Sequence, residues 1–333
     1  MVYKARVLSL DNSGFRVMSL LLLIGLFFLL SCTTKPQPIL RVATNVWPGY
    51  EPLYLARSLG LYAQTPIRLV EMTSASQVSH AIRNGTVEVA ALTLDETLSL
   101  IQDPNLNLRV ILVMDISNGA DVLLARDNIT NLAALRGKRI GVENNATGAI
   151  VFGAALESVG LATESVNMIP LTINDHLPAW NNNQIDALVT FEPVRSQLLN
   201  MGARELFDSS QIPGRILDVL VVRADVLNHH DAALKALIAG YFAALEHMAR
   251  HPDDAAVRMA GRLGTPVEQV LPQFKGLRQP DLAENWQWLS GAAPGLQKSA
   301  AELSNVMLQH QLLQHDIAVN TLAEAKYLPA LAR

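Results

Sequence analysis

Past residue 38 the apolar positions fall into a repeating unit: a short run rich in Val, Ile and Leu, a polar loop, then apolar residues at helical spacing closed by glycine. Ile39–Thr44 reads as the first strand and 45–50 as its loop. Glu51-Pro52 opens a helix, with proline in the first turn where a missing N–H costs nothing, and Gly60 closes it. Ile67–Glu71 is the second strand, followed by Ser76 as N-cap of a helix stopped at Gly85. Val87–Leu92 and Leu108–Met114 are the third and fourth strands, with Asp95 capping the helix between them. The unit resumes with strands at Lys138–Val142, Val166–Leu171 and Ala187–Val189, and with helices ending at Val159 and spanning Pro193–Met201. Strands alternating with helices of this length imply parallel sheets with right-handed crossovers. From about Leu227 the pattern changes to long Ala- and Leu-rich helices, Ala232–His251 and Lys298–Gln314.

One internal echo points to two related lobes. Ala90–Asp95 matches Ala187–Glu192 in residue type at every position: an apolar strand, a Thr, an apolar residue, then an acid entering a helix. Part of that likeness belongs to any strand-to-helix turn. No short-period repeat or low-complexity tract is visible.

The N-terminal segment follows a different logic. Lys4, Arg6 and Arg16 precede an almost unbroken apolar run, Val17–Leu30, which ends at Ser31-Cys32 and a polar, proline-bearing stretch. A spanning helix needs about 20 apolar residues, so this shorter run reads as an export signal, residues 1–31, with 32–38 as a tether. Leu29-Leu30-Ser31-Cys32 resembles the bacterial lipobox, which implies acylation of Cys32 and a partner in the lipid bilayer. An incidental buried thiol is the plainer alternative. Cys32 is the sole cysteine of the 333 residues, so a chain cut before it has no disulfide and no cysteine beyond the anchor. Removing 1–31 takes away three basic residues and one acid, leaving 23 basic and 29 acidic. With that balance and no run of like charge, nucleic acid is not an expected partner. Half the chain is hydrophobic, enough for sizeable cores.

Val42-Ala43-Thr44-Asn45-Val46-Trp47-Pro48-Gly49-Tyr50-Glu51-Pro52 resembles the opening strand and first loop of the nitrate/sulfonate/taurine-type solute-binding proteins of ABC importers. The stretches 84–90, 115–121 and 135–142, and Phe191-Glu192-Pro193, resemble later parts of the same family in the same order. The resemblance covers about residues 38 to 330. It implies an α/β, two-lobe fold of the second periplasmic-binding-protein type, each lobe a mostly parallel sheet flanked by helices, with extra C-terminal helices. Lobe 1 would hold 39–126 plus 217–333 and lobe 2 would hold 127–216, joined by strands near Val122–Arg126 and Ile216–Arg223. It also implies a monomer that exchanges a small-molecule solute with an ABC permease in the inner membrane, without a cofactor.

In parallel α/β lobes ligands bind beyond the carboxyl ends of the strands. The loops there put forward Trp47, Tyr50, Glu51, Ser74, Thr93, Asp95, Asn118, Asn144, Thr147, Thr190, Phe191 and Glu192 as ligand-binding. Trp47 beside Pro-Gly is a poor core residue and a good stacking surface, while Trp180, Trp286 and Trp288 fit helix packing. The 144–148 loop opens a helix and suits an acceptor oxygen, although Asn and Thr there also serve as plain caps. Glu51, Asp95, Glu96, Glu143 and Glu192 sit at helix entries, which the helix dipole favours in any case. These loops contain no Lys or Arg, so a neutral or amine-bearing ligand with a flat face fits them better than a sulfonate or nitrate.

The His pairs 229/230 and 247/251 lack the further ligands a metal needs. The pyrimidine-precursor synthases share the lobes but carry a cysteine-rich motif and a cofactor lysine, so an enzyme reading loses its chemistry here. A sensory role, docking on a membrane receptor, stays open beside transport.

Overall fold

A computed structural model describes residues 38–143 and 146–331, leaving aside the side chain of Ala146. Residues 1–37, which hold the expected export signal, most of the expected tether and Cys32, lie outside the described residues, as does Asn144. The strands are β1 (Leu40–Thr44), β2 (Ile67–Glu71), β3 (Val89–Thr93), β4 (Leu108–Ser117), β5 (Val122–Ala125), β6 (Arg139–Glu143), β7 (Asn167–Leu171), β8 (Ala187–Thr190), β9 (Arg204–Asp208), β10 (Leu217–Arg223) and β11 (Leu277–Arg278). The helices that shape the site are α1 (Glu51–Ser58), α2 (Ala75–Arg83), α3 (Leu94–Leu100), α4 (Ala146–Glu157), α5 (Ile173–Asn181) and α6 (Val194–Asn200). A helical C-terminal part follows, with α7 (Asp231–Arg250) and α8 (Pro252–Leu263) packed on α1. Among the described residues no helix is long and apolar enough to cross a membrane.

The strands form two sheets with one plan. The first runs β2-β1-β3-β10-β4, with β11 added at its edge; the second runs β7-β6-β8-β5-β9. Each therefore reads second, first, third, a strand arriving from the other crossing, then fourth. The parallel part predicted by the strand–helix units is β2-β1-β3 in one sheet and β7-β6-β8 in the other. β10 and β5 are antiparallel to both their neighbours, so each sheet is mixed.

Val122–Ala125, which the family resemblance assigns to the first lobe, pairs instead with β8 and β9. β4 runs on to Ser117, and the crossing is made by 118–121. A strand buried on both faces, as β5 is, needs partners on both edges, and only the second sheet offers them. β9 gave no signal in the sequence because Arg204-Glu205-Leu206-Phe207-Asp208 is an edge strand with its polar side in water. The centre of the first sheet is the opposite case. β4 and β10 are buried almost throughout and read as continuous apolar runs. Each of those runs contains one acid, Asp115 and Asp218.

Candidate functional site

The loop after β1 brings two aromatics over those acids. Pro48–Tyr50 is a single 3₁₀ turn, closed by the Tyr50 N–H donating to the Trp47 carbonyl at 3.0 Å. Trp47 Nε1 donates to Asp115 Oδ2 at 3.2 Å, and the Tyr50 hydroxyl donates to Asp218. Gly49 between them has no room for a side chain: a Cβ would stand 2.6 Å from the Asp115 carboxyl carbon and 2.7 Å from the Trp47 indole nitrogen. Asp115 and Asp218 face each other in the β4–β10 register. Burial raises both above the usual carboxylate range; repulsion by Asp115 adds to the rise at Asp218, whereas at Asp115 the interaction with Asp218 offsets part of it.

The second sheet supplies the facing wall: Glu143 at the end of β6, Thr147 in the first turn of α4, and Phe191 after β8. Phe191 meets Trp47 edge to face, with centroids 5.4 Å apart and planes at 85°. Thr147 bridges the sheets, donating to Asp95 Oδ2 at 2.8 Å while lying 3.0 Å from the Thr93 hydroxyl. Thr93 is N-cap of α3 and forms a capping box with Glu96.

The cleft between these walls holds about 370 Å³ of empty space, part of it open at the mouth. Asn45, Trp47, Tyr50, Ala75, Thr93, Glu96, Asp121, Glu143, Thr147, Phe191, Ile216 and Asp218 line it, with no Lys, Arg or His among them. Both carboxylate oxygens of Glu143, and one each of Asp121, Asp95 and Asp115, are buried without a hydrogen-bond partner among the described residues. Burial pushes Glu143 up to about 7, with Asp121 adding repulsion, and pushes Asp121 to about 6. Asp95 and Glu96 are raised for the same first reason. No cation is among the groups that shift any of them. Isolated buried anions are costly, so these acids hold their protons to higher pH than exposed carboxyls do. Among the described residues no group of three His, Cys, Asp or Glu side chains is placed to hold a metal.

Of the residues put forward from the sequence, Trp47, Tyr50, Thr93, Thr147 and Phe191 line the cleft, and Asp95 touches it through Thr147. Ser74 caps α2, accepting from the Gln77 N–H at 3.3 Å. Asn118 is exposed, its N–H donating to the Gly276 carbonyl at 2.7 Å. Thr190 bonds the buried His176, and Glu192 is consumed by Arg195 and Ser196. Glu51 pairs with Arg262. The sequence reading passed over Asp121, Asp218 and Ile216. An acid inside an otherwise apolar strand, as in Leu217-Asp218-Val219, was the available signal.

The two crossings are stitched together beneath the cleft. Ser209 Oγ accepts from the Gly119 N–H and lies 2.7 Å from Ser117 Oγ, and the Ser117 N–H donates to the Ile216 carbonyl at 3.0 Å. Gly119, at φ 108°, takes a backbone conformation that a side chain would strain.

The profile of the NMT1-like family matches residues 33–263. Among solved structures, the alkanesulfonate-binding protein SsuA of Xanthomonas axonopodis pv. citri, bound to MOPS, aligns with a TM-score of 0.70 at 17% identity, over 84% of this chain and 96% of that one. The periplasmic aliphatic sulphonate binding protein SsuA of Escherichia coli gives 0.70 at 17% identity, over 88% and 100%. The desulfurization enzyme DSZB gives 0.62 at 18% identity, over 88% and 98%. No curated protein matches the sequence. The likeness shows the fold, that of the periplasmic binding proteins, and the fold is shared by binders and an enzyme.

Proposed function

Because the chain belongs to the NMT1-like family, we propose that it is an extracytoplasmic solute-binding protein whose ligand is a small organic cation with a flat face. The observation that carries this reading is the pairing of an aromatic wall, Trp47, Tyr50 and Phe191, with buried carboxylates whose oxygens lack partners, in a cleft without a basic side chain. A simple sulfonate or nitrate would enter against those acids with only N–H dipoles to offset them. A protonated amine or heterocyclic cation would meet both the carboxylates and the rings, each cation–π contact contributing roughly 0.5–2 kcal/mol. Capture would proceed by closure of the second sheet and its helices against the first, about 118–121 and 209–216, where two crossings confine the rotation to few residues. The solute would then pass to an ABC permease, with Cys32 acylated as a membrane anchor.

Calorimetric titration with amines, pyrimidine-type heterocycles, taurine, nitrate and alkanesulfonates tests the ligand class. Heat from a cationic amine or heterocycle is the expected result, with compaction of the protein in X-ray scattering. Micromolar binding of a sulfonate or nitrate, with the amines silent, would overturn it. For the anchor, a Cys32→Ala variant should lose membrane attachment on cell fractionation, and retention at wild-type levels would refute acylation.

A further inference from the structure

The aromatic wall is held from outside the strand-end loops. Arg262, in the last turn of α8, is ninety-per-cent buried and spends its guanidinium on both ends of the loop that carries Trp47 and Tyr50. At the near end, Nη2 donates to the Asn45 carbonyl at 2.8 Å and to Thr44 Oγ1 at 3.1 Å. At the far end, Nη1 pairs with Glu51, the first residue of α1, while Nε donates to Glu71 Oε2 at 2.7 Å. Its Cζ lies 3.6 Å from the centre of the Tyr54 ring. One turn earlier, Arg258 donates to the Ser58 carbonyl at 3.1 Å and to Ser58 Oγ at 3.0 Å, so the same helix grips α1 at both its ends.

We infer that Arg262 is the positioning residue of the ligand site: it fixes the spacing between Asn45 and Glu51 and so sets where Trp47 and Tyr50 stand over Asp115 and Asp218. Lysine cannot replace it, because one ammonium lacks the planar fork that reaches both loop ends and a second carboxylate together. Its charge is already matched by Glu51 and Glu71. Arg262 therefore shapes the cleft without making it basic, and its role in capture rests on the cation-binding reading above.

The test is the set of indole N–H signals of ¹⁵N-labelled protein, with Trp47 assigned through Trp47→Phe. Arg262→Lys should shift and broaden the Trp47 signal, leave those of Trp180, Trp286 and Trp288 in place, and weaken binding of benzyltrimethylammonium about tenfold. An unmoved Trp47 signal in the folded variant overturns the proposal, as does a moved one with unchanged affinity. If Arg262→Lys does not fold, the double variant Glu51→Gln/Arg262→Gln, which removes both buried charges together, takes the same readout with the same two outcomes. Should wild type not bind the ammonium at all, the cation reading fails, and the indole signals alone decide the role of Arg262.

Discussion

Two turns of the same design occupy the same place in the two sheets and treat their acids in opposite ways. Thr93-Leu94-Asp95-Glu96 follows β3 and Thr190-Phe191-Glu192-Pro193 follows β8, each the third strand of its sheet. In the second turn Glu192 is buried and fully engaged: Oε1 accepts from Arg195 and from the Ser196 hydroxyl, and Oε2 from the Ser196 N–H. In the first turn Asp95 is equally buried, yet one oxygen accepts from Thr147 of the other sheet and the second has no partner among the described residues. A buried acid at a helix entry is thus no sign of a ligand by itself. What distinguishes the two is whether the local chain already satisfies the carboxylate.

The strongest test of that contrast is the dependence of stability on pH. Burial raises Glu143 to about 7 and Asp121 to about 6, above their unfolded values near 4. The folded chain therefore keeps protons that the unfolded chain has released. Stability from these groups is complete below about pH 4 and falls as pH rises through 6 and 7. From pH 5 to 8 the two together should remove about 4 kcal/mol, read from urea unfolding at several pH values. The double variant Glu143→Gln/Asp121→Asn should flatten the decline, and an equal slope in that variant would dismiss the partnerless-acid account.

The turns themselves come next. Glu192→Ala should cost about 2–3 kcal/mol of stability, because the Ser196 and Arg195 donors lose their acceptor, while leaving ligand affinity as it was. Asp95→Asn should hold or raise stability at pH 8 and weaken a bound cation about tenfold, the size of one lost contact of about 1.4 kcal/mol. The reverse pattern, affinity lost at Glu192 and stability lost at Asp95, would undo the comparison.

The smallest effect belongs to the bridge. Thr147→Val keeps the shape of the side chain and removes its bonds to Asp95 and Thr93. It should cost about 1 kcal/mol and enlarge the radius of the free protein in X-ray scattering. A radius equal to that of wild type would show that Thr147 does not hold the sheets together.

Apolar periodicity was enough to read most of the alternating strands and helices, though not β9 or α5, because burying β-branched runs and helical stripes is a local demand on each segment. The six-position echo between 90–95 and 187–192 foretold two sheets of one plan, since equivalent strands feed equivalent turns. Trp47 and Tyr50 stood out in the proline–glycine loop as poor core candidates, yet the structure buries both in the core beside the cleft they line. Other facts needed the tertiary structure. β5 went to the second sheet because only there could both its edges pair. Asp115 and Asp218 became neighbours through the register of strands about a hundred residues apart in sequence. Arg262 reached the loop after β1 from beyond position 250, and Glu192 was separated from Asp95 by what each carboxylate found beside it. Burial pattern is written along the chain, whereas hydrogen-bond satisfaction depends on which distant groups folding brings within 3 Å.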